Sequence, residues 1–103
     1  AVRDAKTELM WKLKPYVPAD PMTGPLYIEI RWAFELKSCK KPYWKTTRPD
    51  LDNLEKGLLD VLGSMGFFHD DAQIVMKQTG KVAVPSGEGS LEILIREVTK
   101  EDD

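Results

Sequence analysis

Apolar residues recur at helical spacing at the start of the chain, where Val2, Ala5, Leu9, Met10 and Leu13 fall on one stripe ahead of Pro15. The spacing predicts an amphipathic helix over residues 2–14, stopped by a proline that cannot continue it. No capping side chain stands at Ala1 or Val2 and no initiator Met is present, so further residues are expected upstream. Pro15, Pro18, Pro21 and Pro25 then predict a connecting loop. From 26 to 36 the alternation is strict, with Leu26, Ile28, Ile30, Trp32, Phe34 and Leu36 on one face, and it predicts a strand. Helical period returns over 50–65, where Leu51, Leu54, Leu58, Val61, Leu62 and Met65 form a stripe that Gly63 and Gly66 are expected to end. A strand is predicted over 73–84 with Gly80 as a bulge, a hairpin turn over 85–89, and a last strand through Leu91, Ile93 and Ile95, followed by a polar tail at 100–103. This order reads as one domain over 1–103, an α/β (α+β) fold with two helices packed on a small mixed sheet.

Composition bounds this picture without specifying a function. The 103 residues are 42% hydrophobic and 31% charged, an ordinary globular balance. The apolar uncharged run at 61–68 is far shorter than the roughly 18 residues a membrane span requires. The single cysteine, Cys39, excludes an internal disulfide, and with no disulfide-linked partner or secretory signal the expectation is a soluble protein of a reducing cytoplasm. A net charge of −2 argues against nucleic acid only as an average. The segment 37–49 is a basic loop: Lys37, Lys40, Lys41, Lys45 and Arg48 with no acid make it +5, and Tyr43 and Trp44 are interleaved. Cations with aromatics between them suit phosphate contact and base stacking, so these seven residues are candidate DNA-binding residues.

The basic loop runs directly into Arg48-Pro49-Asp50-Leu51-Asp52-Asn53-Leu54-Glu55-Lys56, and His69-Asp70-Asp71-Ala72-Gln73 follows the second helix. Asp50 and Asp52 share a helix N-terminus, where free N–H groups favour anions, and Lys56 lies one turn along the same face. Alone, D-x-D equally suits a helix cap with a surface ion pair, and Asp70-Asp71 a turn. Four carboxylates from two distant segments repel one another unless a cation compensates, and oxygen-only ligands suit Mg²⁺ or Mn²⁺. Those parts fit metal-assisted phosphodiester hydrolysis, with Asp50, Asp52, Asp70 and Asp71 as candidate metal ligands. His69 reads as a turn residue, and Asp60 either orients Lys56 or solvates the helix.

The Arg48 to Lys56 motif, then Leu59-Asp60-Val61-Leu62, Gly66-Phe67, Asp70-Asp71-Ala72-Gln73-Ile74-Val75 and the closing Gly89 to Ile95 stretch, resemble the RusA family of Holliday junction resolvases. The resemblance implies a bacterial or phage-encoded two-fold homodimer that nicks four-way junction DNA with Mg²⁺ in recombination and repair. It further implies that Asp50, Asp52 and Asp71 are catalytic metal-binding carboxylates, that Lys56 is a catalytic lysine, and that Asp70 assists. Met65, Phe67, Phe68 and Trp11 are candidates for the pairing surface, core packing being the other fate of Phe67. The alternative reading is a catalytically idle junction-binding module in which the acids are structural.

Overall fold

The computed structural model describes residues 4–99, so Ala1 to Arg3 and the predicted polar tail at 100–103 lie outside the described residues. The first helix, α1, spans Ala5–Leu13. Asp4 caps it, its Oδ1 accepting from the Thr7 N–H at 2.7 Å, so the start is one the Ala1-Val2 sequence did not announce. A 3-10 turn at Lys14–Tyr16 carries Pro15 and ends the helix.

Strand β1, Leu26–Glu35, lies inside a four-stranded sheet. A two-residue strand, β2, forms at Tyr43–Trp44 within the basic loop, where the sequence pattern predicts none. Helix α2 covers Leu51–Met65. Gly63 stays within it, and only Gly66, at φ 91°, supplies the left-handed C-terminal residue. Strand β3, Ile74–Val84, follows, then β4, Ser90–Glu97.

The sheet order is β2-β3-β1-β4, with β1 and β3 parallel and both edge strands antiparallel to their neighbours. A parallel pair needs a crossover, and α2 provides it. Two expectations are corrected here. The turn after Pro85 closes no hairpin, because β4 passes to the far side of β1 and β3 pairs with β2 instead. Nor is Gly80 a bulge: it pairs in register with Arg31, and the irregularity falls where Leu26 and Tyr27 meet Ile74 and Met76, skipping Val75.

One face of the sheet carries the core. Leu26, Ile28, Ile30 and Trp32 of β1 pack with Leu58 and Leu62 of α2 and with Phe67 and Phe68 beyond it. Phe67 and Phe68 are therefore core residues and are withdrawn as candidates for a pairing surface; Trp11 stays 54% exposed. Among the described residues no helix is long and apolar enough to cross a membrane.

Candidate active site

Opposite Ile28, Ile30 and Trp32, strand β3 turns Lys77, Thr79 and Lys81 toward the helix face of the sheet, a polar row in an otherwise apolar layer. This row holds α2 in place. Glu55 of α2 accepts from Lys77 Nζ at 2.6 Å and from Thr79 Oγ1, making the ion pair that ties helix to sheet. Burial pushes the Glu55 carboxyl up, but the hydrogen bonds from Lys77 and Thr79 and the Lys77 charge outweigh it and leave the group below its ordinary value.

Lys81 reaches the segment ahead of α2, donating to Thr47 O at 2.7 Å and Pro49 O at 2.6 Å. Lys45 donates to Thr47 O at 3.2 Å, to Thr47 Oγ1 at 2.7 Å and to Arg48 O. Its ammonium, expected to meet DNA, is thus taken up by loop carbonyls, while Lys37, Lys40, Lys41 and Arg48 stay exposed. Tyr43 and Trp44, expected to act together, are separated by the two-residue period of β2. Tyr43 pairs with Ala83, which pairs with Phe34 on the helix face; Trp44 pairs with Val82 on the opposite face, its ring beside Gly80.

The acidic residues divide into bound and free. Asp50 stands at the N-cap of α2 with extended backbone, its carbonyl accepting from Leu54 N, yet its carboxylate makes no capping bond. Asp52 in the first turn accepts the Asn53 N–H at 3.0 Å and, among the described residues, nothing else. Lys56 is exposed and makes no ion pair with Asp52 or hydrogen bond with Asp60, so the surface-pair reading and the Asp60 tether both fail. Asp70, by contrast, is the cap of a 3-10 turn at Asp71–Gln73, accepting from Ala72 N at 2.8 Å. Gln73 completes that turn in a way the sequence motif did not suggest. Its Oε1 accepts from His69 N and Asp70 N at 2.8 and 2.9 Å, and its Nε2 donates to Met22 O and Gly24 O, both at 3.0 Å. Asp71, presented by this clasp, is exposed.

Asp71 shares a shallow pocket with Leu59, Ile74 and Lys77. Carboxylate oxygens around one Mg²⁺ stand roughly 2.1 Å from it, so a shared ion requires its ligands to converge closely. Among the described residues no three His, Cys, Asp or Glu side chains converge closely enough to hold a metal. The oxygen-only donors Asp50 and Asp52, on an anion-favouring helix end and in no ion pair among the described residues, do suit a Mg²⁺ ion bound through one or two carboxylates.

Comparison with known proteins decides the family. The model of the endodeoxyribonuclease RusA family matches residues 1–96. The chain belongs to the RusA endodeoxyribonuclease family. Similar RusA proteins include the crossover junction endodeoxyribonuclease rusA of Lactococcus phage r1t, 41% identical over 59 residues, which are 56% of this chain and 45% of the phage protein. The crossover junction endodeoxyribonuclease RusA of Escherichia coli K12 is 46% identical over 54 residues, 52% of this chain and 44% of that protein, and the rusA of Enterobacteria phage 82 aligns over the same proportions. Each alignment spans under half of the curated relative.

Proposed function

We propose that this RusA-family chain is a Mg²⁺-dependent endodeoxyribonuclease that resolves four-way DNA junctions by paired symmetric nicks, acting in recombination and repair. The observation that carries the reading is a division of labour inside the acidic motifs. Glu55 and Asp70 are bound into the fold, whereas the side chains of Asp50, Lys56 and Asp71 are exposed and make no hydrogen bond or ion pair among the described residues.

Asp50 and Asp52 would hold the metal, which when bound polarises the scissile phosphate. Lys56, one helical turn from Asp52, offers its ammonium to charge developing on the phosphate. Lys37, Lys40, Lys41 and Arg48 neutralise backbone phosphates, and Tyr43 is the aromatic on the helix face available for stacking. Because no three such side chains converge within one chain among the described residues, an ion using all three carboxylates would draw on two copies. A two-fold homodimer also matches the two equivalent strands of a junction.

Incubation of a synthetic four-way junction with Mg²⁺ tests the proposal. Symmetric nicking is expected, with Asp50→Asn and Lys56→Met each losing on the order of 100-fold or more in rate. Nicking that survives Asp50→Asn would sink it. A second reading, an idle junction-binding module, draws on the separation of the acids within one chain; it predicts salt-dependent binding with no metal-dependent cleavage.

A further inference from the structure

The two lysines behind the Asp50 motif are an arrangement that simple stability would disfavour. Lys45 and Lys81 are neighbours at the end of the β2-β3 ladder, where Lys45 N donates to Lys81 O at 3.2 Å. Like charges side by side on a sheet repel. Here both side chains turn to one short stretch of backbone and share an acceptor, Thr47 O. Between them they engage the carbonyls of Thr47, Arg48 and Pro49 in succession. Charge-assisted bonds of this kind are the strong ones, and each ammonium is compensated by carbonyls rather than by a carboxylate.

The geometry at Pro49 has a specific effect. Pro49 O belongs to the same rigid peptide unit as Asp50 N, so fixing that oxygen at 2.6 Å from Lys81 Nζ fixes the plane from which the Asp50 Cα departs. Asp50 makes no capping bond of its own that would set its direction. Lys81, half-buried on a central strand, is the group that orients it from outside the helix. We propose that Lys81 is a positioning residue for the reaction: with Lys45 it clamps the 47–49 backbone and sets Asp50 relative to Asp52, without touching substrate. This rests on the endonuclease reading above.

Lys77 provides the control, because it lies on the same strand and face four residues earlier and braces Glu55 rather than the loop. Lys81→Met, Lys81→Arg and Lys77→Met are compared in the full chain, below the melting temperature of each. Two measurements are made: the ¹⁵N backbone order parameters of residues 47–52, and the Mg²⁺ concentration giving half-maximal junction nicking. Lys81→Met is expected to lower the order parameters of 47–50 from about 0.85 to below about 0.6 and to raise the half-maximal Mg²⁺ concentration at least fivefold. Lys81→Arg, which keeps the charge and donors, recovers most of both. Lys77→Met changes neither by more than about twofold despite its own loss of stability. The positioning role is overturned if the order parameters of Lys81→Met match the wild type, or if Lys77→Met shifts the Mg²⁺ requirement equally. Should the wild type cut no junction, the endonuclease reading fails, and the order parameters still decide whether Lys81 holds the loop.

Discussion

Replacing Glu55 probes how α2 is fastened to the sheet. The Glu55 side chain is only 12% exposed and that of its partner Lys77 is 54% exposed. A bond to a buried charged group contributes about 1.5 to 3 kcal/mol, but the half-exposed ammonium regains water when released, which brings the Lys77 share near the 0.5 to 1 kcal/mol of surface pairs. Adding the Thr79 bond gives about 2 kcal/mol for Glu55→Ala. Glu55→Gln keeps an acceptor for Thr79 and loses about 1 kcal/mol. For a chain of this size those losses lower Tm by about 8 and 4 °C. Because the folded carboxyl titrates below its ordinary value of 4.5, its contribution is complete above that pH and is lost as pH falls through the folded value. Thermal melts of wild type and Glu55→Gln from pH 7 to pH 3 should therefore show a gap that is constant near neutrality and shrinks below about 4.5. A gap under about 1 °C at pH 7, or one that persists unchanged in acid, would refute the reasoning.

Two further outcomes follow from the division between bound and free groups. Asp70→Ala removes the cap of the turn before β3 and should cost about 1 kcal/mol in urea unfolding, whereas Asp71→Asn should stay within about 0.5 kcal/mol of wild type; equal losses would contradict the assignment. In junction binding measured against salt without metal, Lys40→Met should reduce the slope of log K by about 1. Lys45→Met should leave the slope unchanged while lowering stability, and a slope change matching that of Lys40→Met would show that Lys45 faces phosphate after all.

The parts of this fold legible from residues alone were those in which local period and burial agree. Leu26, Ile28, Ile30 and Trp32 alternate because one face of β1 lies under α2, and the α2 stripe runs to Met65 before Gly66 turns left-handed. The strand at Tyr43-Trp44 escaped because nothing local makes it; it exists only through pairing with Ala83 and Val82, some 40 residues away. The Pro85 to Gly89 signals correctly mark a turn, but turn chemistry does not say which edge of the sheet the next strand joins. Gly80 was misread because an isolated strand glycine signals close approach as well as bulging, and here the neighbour is the Trp44 ring. At the site, the D-x-D and D-D-A-Q motifs single out the candidate acids by type and spacing. That no three of them converge within one chain, among the described residues, depends on how α2 and the 71–73 turn are placed against the sheet. The division among Lys45, Lys81 and the exposed lysines depends on where three carbonyls end up.

The brevity of β2 bears on how the molecule stays out of aggregates. Val82, Ala83 and Val84 would give β3 an outer rim of apolar residues with unpaired backbone groups, the kind of edge that recruits foreign strands. Tyr43 and Trp44, with the Lys45 amide continuing the ladder, cover that rim, and the covering piece is too short and too densely cationic to serve as a template itself. The basic loop is therefore also a guard for the sheet. If the loop binds DNA as proposed, its length and sequence cannot drift toward a new DNA preference without exposing β3, so two constraints meet on the thirteen residues 37–49.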